Sequence, residues 1–266
     1  MTKKFLLLLV FGHFLKGIFM KKLIYGNFKM NTTIKDIESY TENFLPKVEA
    51  CKNEIAIFPP FTNLMFAKQK LTSSKVLLGA QNVASESSGA YTGEISASML
   101  KSVGVNIVIV GHSERRKIFA EKGEIINKKI KEALSQGLKV VLCVGETKTE
   151  RTNKKYKSVI EKQILEGIKG LYENELKNIV IAYEPVWAIG TNVVPNVKQI
   201  EEVASIIRAL FQTEYSVASS KNIKILYGGS VNASNAKQFA FVKGINGLLV
   251  GGASLKPEEF VVICNV

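Results

Sequence analysis

Aspartate and histidine are almost missing from this chain. Among its 266 residues Asp36 is the single aspartate, and His13 and His112 are the two histidines. A zinc centre, or a magnesium site built on paired aspartates, asks for more ligands than that. No metal and no cofactor are expected. A Ser-His-Asp triad would have to use Asp36, unless glutamate took its place. Acid–base chemistry therefore falls mostly on glutamate, lysine and His112. Cysteine is also sparse. Cys51, Cys143 and Cys264 are odd in number, far apart, and form no Cys-x-x-Cys pair. They read as free thiols of a reducing compartment, and a cytoplasmic location is expected. No low-complexity segment is evident, and no RNP-type motif or aromatic-interleaved basic run appears. The formal net charge of +13 is spread over scattered lysines. It reads as a solvated surface rather than a nucleic-acid face, although a positive field would help to steer an anionic small molecule.

The first nineteen residues do not fit the rest. Phe5 to Phe19 read FLLLLVFGHFLKGIF after Lys3-Lys4, which resembles the start of a signal peptide. His13 and Lys16 interrupt the apolar run and no cleavage signal follows. The run is also short for a membrane span. Met20 stands directly before the first strand, so residues 1–19 are read as an upstream artefact and 20–266 as the domain. The alternative is a membrane anchor; no membrane association is expected.

From Leu23 onward, short apolar runs alternate with amphipathic stretches. The candidate strands begin at Leu23, Glu54, Val76, Asn106, Lys139, Asn178, Lys224 and Gly247. Each is nearly continuously apolar, the mark of a strand buried on both faces of a parallel sheet. Between them, Thr33–Ala50, Glu124–Gln136, Tyr156–Tyr172 and Val197–Tyr215 carry apolar residues at helical spacing. Gly137 sits where a helix C-cap belongs. Eight strands alternating with helices, in a chain near the usual barrel length of about 250 residues, predict a single-domain (β/α)₈ barrel.

Polar and glycine residues gather where these strands end, and in such a barrel those ends form one rim that carries the active site. Gly228-Gly229-Ser230 after strand seven and Gly251-Gly252 after strand eight would let backbone N–H groups approach a phosphate. Lys29, closing strand one, would neutralise a phosphate or a developing enolate oxygen. Asn27, two residues earlier on the same strand face, would orient substrate and lysine. His112 ends strand four and could polarise a carbonyl. Glu184 ends strand six, well placed as a base for a proton alpha to a carbonyl. The segment Pro185–Thr191, PVWAIGT, has the composition of a hinged lid that would bring the Gly190 N–H to the phosphate.

At these residues the chain resembles the triosephosphate isomerase family. The blocks GNFKMN, GAQN, GAYTGEIS, VIVGHSERR, CVGE, AYEPVWAIGT, YGGSV and LLVGGASL carry the resemblance from about Lys22 to the C-terminus. It implies the TIM barrel and the interconversion of dihydroxyacetone phosphate and glyceraldehyde 3-phosphate, without a cofactor. It also implies a glutamate base, a neutral histidine electrophile and a closing loop, for which this family is the standard worked case. Carried over by residue, Glu184 would take the carbon-bound proton and His112 would stabilise the enediolate. Lys29 would supply charge and Asn27 would orient substrate, with Phe28 beside them in the binding set. Gly190, Ser230, Gly251 and Gly252 would hold the phosphate, and Glu114 would support Lys29. In the family, the loop around Ser85–Glu94 reaches a second subunit, where Thr92 braces the partner's site; a homodimer is implied. Two departures from the family pattern stand out: Phe28 replaces a common tryptophan, and Asn192-Val193-Val194-Pro195 replaces the usual end of the lid, so a different C-terminal hinge is expected. The rivals are another phosphate-binding barrel enzyme, which would lack the Asn27/Lys29/His112/Glu184 set, and a non-catalytic or anchored barrel.

Overall fold

The computed structural model describes residues 21–191 and 193–266. The expected leader at 1–19 lies outside the described residues, as does Asn192 of the expected hinge.

Eight parallel strands close into a barrel in sequence order. They are β1 Leu23–Asn27, β2 Glu54–Phe58, β3 Leu77–Ala80, β4 Ile107–Val110, β5 Lys139–Val144, β6 Ile179–Tyr183, β7 Lys224–Tyr227 and β8 Gly247–Val250. Closure comes from β8 pairing with β1, Leu23 opposite Gly247 and Gly26 opposite Val250. The apolar runs become strands because both faces are buried: in β4 all of Ile107, Val108, Ile109 and Val110 are sealed from solvent. One face fills the barrel with Tyr25, Phe58, Ile107, Ile109, Val141, Cys143, Leu226 and their neighbours. The other face packs outward against helices. Phe58 fits inside only because β3 offers Gly79; a Cβ there would lie 2.3 Å from the Phe58 ring.

The surrounding helices are α1 Ile34–Val48, α2 Leu64–Lys70, α3 Ala97–Ser102, α4 Ser113–Ile118, α5 Gly123–Ser135 and α6 Lys148–Thr152. They continue with α7 Tyr156–Ile168, α8 Val197–Glu214, α9 Val217–Asn222, α10 Ala236–Ala240 and α11 Pro257–Cys264. Helix α1 starts at a capping box between Thr33 and Asp36, which satisfies the free amides of its first turn. It buries Ile37, Tyr40, Phe44 and Val48 at helical spacing against the barrel. Burying an aliphatic or aromatic side chain of this size contributes on the order of 1.5–3 kcal/mol each. Helix α5 ends as its sequence suggests, with Gly137 at φ +70° just beyond Gln136. Tyr156–Tyr172 is shorter than its periodicity suggests: α7 stops at Ile168 and a 3₁₀ segment at Glu173–Asn178 follows. Gly170, at φ +75°, turns the chain between them.

Candidate active site

The strand ends converge on a cavity of about 390 Å³ lined by Asn27, Lys29, His112, Glu184, Gly190, Ser230, Gly251 and Gly252, among others. Residues from strands one, four, six, seven and eight, and from the lid segment, thus share one hollow. Ile189 of the expected lid segment also lines it, with four residues given no individual role in the sequence: Val231, Asn232, Leu249 and Ala253.

Asn27 closes β1 and is buried. Its Oδ1 accepts a hydrogen bond from the Lys29 N–H at 3.0 Å. This fixes a turn in which Lys29 adopts φ +52°, an uncommon conformation for a residue with a side chain. Gln81 holds the turn from the other side by donating to the carbonyls of Lys29 and Phe58, both at 2.8 Å. The Lys29 ammonium lies 2.6 Å from Glu114 Oε1. Lys29 is thereby held at the cavity edge with a carboxylate partner.

Phe28 does not join the cavity, which corrects its expected place in the binding set. Its side chain is fully buried and packs edge-on against Tyr40 of α1, ring centroids 4.8 Å apart. Side chains alternate along a strand, so Asn27 at the end of β1 faces the hollow and Phe28 faces the helix layer. Thr92 lies on an exposed loop away from the cavity of its own chain.

His112 is buried and caps α4, its Nδ1 accepting the Glu114 N–H at 3.3 Å. An accepting Nδ1 leaves the neutral ring's proton on Nε2. That nitrogen is 3.1 Å from Glu184 Oε1. The other Glu184 oxygen, Oε2, accepts from the Ser113 N–H at 3.2 Å. Burial would push the Glu184 pKa up; His112, the Ser113 amide and the more distant Lys29 outweigh it, and the carboxyl titrates below its ordinary value. Burial acts to lower the His112 pKa, but Glu184 and Glu114 raise it above the ordinary value.

Sequence reasoning missed Ser113, whose contribution is a backbone amide. It also missed the place of Glu184 as a wall between two hollows. A second cavity, about 270 Å³ and lined in part by Cys143, Arg116 and Val186, reaches the back of the same carboxylate.

The glycines have a steric role around Glu184. A Cβ on Gly228 would lie 3.1 Å from Glu184 Cγ, and one on Gly145 only 1.8 Å from the Glu184 carbonyl oxygen. Gly190 takes φ +65° at the lid tip. Ser230 Oγ donates to the lid carbonyls of Ala188 at 2.7 Å and Thr191 at 3.0 Å. Beyond the tip, Val193 and Val194 are exposed and Pro195 is buried.

Among the described residues no cluster of three or more histidine, cysteine or acidic side chains could hold a metal ion. No described helix is long and apolar enough to cross a membrane.

The family model for triosephosphate isomerase matches residues 22–266. The chain belongs to the triosephosphate isomerase family. It is similar to the triosephosphate isomerase of Aquifex aeolicus, 49% identical over 92% of this chain and 98% of that protein. It is likewise similar to that of Dictyoglomus thermophilum, 47% identical over 90% and 97%. The one from Alkaliphilus metalliredigens is 45% identical over 92% and 99%. The chain is thus an isomerase on a TIM barrel, as the resemblance implied.

Proposed function

We propose that the chain interconverts dihydroxyacetone phosphate and D-glyceraldehyde 3-phosphate through an enediolate, as a cytoplasmic enzyme of central sugar metabolism. The carrying observation is the meeting of Glu184, His112, Lys29 and Asn27 with Gly190, Ser230, Gly251 and Gly252 around one cavity. The first four supply acid–base and charge-stabilising groups. The second four come from a lid tip and two strand ends, where unhindered amides suit a phosphate.

Glu184 takes the proton from the substrate carbon beside the carbonyl. Negative charge then develops on the carbonyl oxygen, where the Nε2–H of His112 and the ammonium of Lys29 stabilise it. His112 passes protons between the two oxygens, and Glu184 returns its proton to the neighbouring carbon. The sum is a redox-neutral isomerisation, which asks no cofactor of the protein. In the free protein Glu184 and His112 occupy each other. Binding of substrate must therefore separate them, and closure of Pro185–Thr191 is the motion that would do so while excluding water.

A homodimer is part of this reading. A hollow of about 550 Å³ adjoins the active site between Lys29, Met30, Phe61, Asn82, Ile118 and Phe119. Met30, Ile118 and Phe119 are largely exposed around it. Exposed apolar surface of this kind suits a protein partner, here the loop Ser85–Glu94 of a second copy, with Thr92 against the neighbour's Asn27 and Lys29. Sedimentation would show a dimer; a monomer with full activity would overturn that part.

The catalytic reading is tested by a coupled assay for dihydroxyacetone phosphate formation from glyceraldehyde 3-phosphate. Activity well above background is expected. Activity at background, from folded protein, overturns it.

A further inference from the structure

Glu146 follows β5, and its side chain is completely buried. Its Oε1 accepts hydrogen bonds from Trp187 Nε1 at 2.9 Å and from the Tyr183 hydroxyl at 3.2 Å, and Arg151 Nε lies 3.3 Å away in ion-pair contact without a hydrogen bond. Its Oε2 has no hydrogen-bond partner, and neither do Nε and Nη2 of Arg151. A buried carboxylate beside a buried guanidinium would ordinarily form a two-pronged pair. Here the two lie in contact without that geometry, and one carboxylate oxygen is drawn to the lid tryptophan instead.

Arg151 reaches further. Its guanidinium carbon lies 4.1 Å from the centroid of the Tyr156 ring, and its Nη1 is 3.6 Å from Glu202 Oε2. The Tyr156 hydroxyl donates to the other Glu202 oxygen. Glu202 belongs to α8, the helix that receives the chain after the lid. Trp187 belongs to the segment that opens the lid. One partly buried arginine thus touches the anchor of the lid's first hinge and the helix behind its second.

We propose that Arg151 is a positioning residue for the lid, coupling its two hinges through Glu146–Trp187 on one side and Tyr156–Glu202 on the other. The inference rests on the catalytic reading above, in which the lid closes over Glu184. When Trp187 leaves Glu146 during closure, Arg151 has two free donors to pair with the carboxylate left behind. Without it, opening that contact would leave a buried carboxylate short of partners, a costly state. Arg151 thereby lowers the cost of lid closure while touching no substrate.

Trp187 is the chain's single tryptophan, so tryptophan emission, excited on the red edge where tyrosine does not absorb, reports the lid hinge alone. The test compares full-length wild type, R151M and E202Q in two readouts: Trp187 emission during titration with inorganic phosphate, and steady-state kinetics. In both variants the emission of the free protein should shift and the phosphate-induced change should weaken. In R151M, kcat should fall about tenfold to a hundredfold, the range that a small misplacement far from the chemistry can cost. KM should change with it, as is common for hinge faults. A lower Tm with wild-type emission and kinetics would mark a merely structural role and overturn the proposal. So would a change in R151M with none in E202Q, because the coupling to α8 would then be absent. If R151M does not fold, E202Q at the partly exposed end of the chain of contacts decides alone, by the same criteria. An inactive wild type would instead overturn the catalytic reading, which separates the two failures.

Discussion

Glu184 Oε1 sits 3.1 Å from His112 Nε2, so in the free protein the proposed base is the hydrogen-bond partner of the proposed electrophile. Each alters the other's titration. Glu184 is held below its ordinary pKa and His112 above its own.

The pH dependence follows from those directions. The lowered Glu184 value adds stability that is present above its unfolded pKa and is lost as pH falls through the folded one. The raised His112 value adds stability present below its unfolded pKa and lost as pH rises through the folded one. The contact therefore contributes most in the window between the two unfolded values, and fades as pH passes beyond either folded one. Denaturant unfolding of wild type and H112Q from acid to mildly alkaline pH should show a stability gap that narrows at both ends. A gap independent of pH would contradict this.

Gly228 lies against the stem of Glu184, where an added Cβ would approach Cγ to 3.1 Å. G228A should displace the carboxylate by a few tenths of an ångström and lower kcat about tenfold or more, with KM for substrate less affected. Steady-state kinetics and a thermal melt check this; unchanged kcat with a lowered Tm would argue that the close approach serves packing alone.

Lys29 and Glu114 form a short ion pair at the cavity edge. Removing the ammonium in K29M should weaken binding of phosphorylated substrate and lower kcat as well, because charge stabilisation serves the transition state more than the ground state. E114Q should be milder: Lys29 keeps its charge and loses only its tether. An E114Q enzyme as impaired as K29M would assign Glu114 a more direct part.

Much of this was legible in the sequence. Runs such as IVIV in β4 and KVVLCV in β5 are apolar on both faces, so their strands could be placed within a residue or two. Asn27 and Lys29 both line the cavity as expected, although β1 ends at Asn27 and Lys29 reaches the hollow from a turn rather than from the strand. Phe28 is expected in the binding set from the motif it sits in, yet it packs on Tyr40 in the helix layer. Other features depend on long-range register that no local pattern encodes. The Ser113 amide meets Glu184 because β4 and β6 flank β5 in the closed barrel. Glu146 closes the block CVGE at a strand end, and nothing local shows that it is sealed beneath Trp187.

The central claim is that Glu184 moves a carbon-bound proton. Isomerisation of glyceraldehyde 3-phosphate in D₂O, followed by NMR for deuterium at the reacting carbons, tests it in wild type and E184Q. Wild type should isomerise and incorporate deuterium, because a proton held on Glu184 can exchange with solvent. In E184Q both processes should fall together by about 10²–10⁴-fold, the usual worth of a positioned base. E184Q retaining wild-type rates of isomerisation and exchange would contradict the claim.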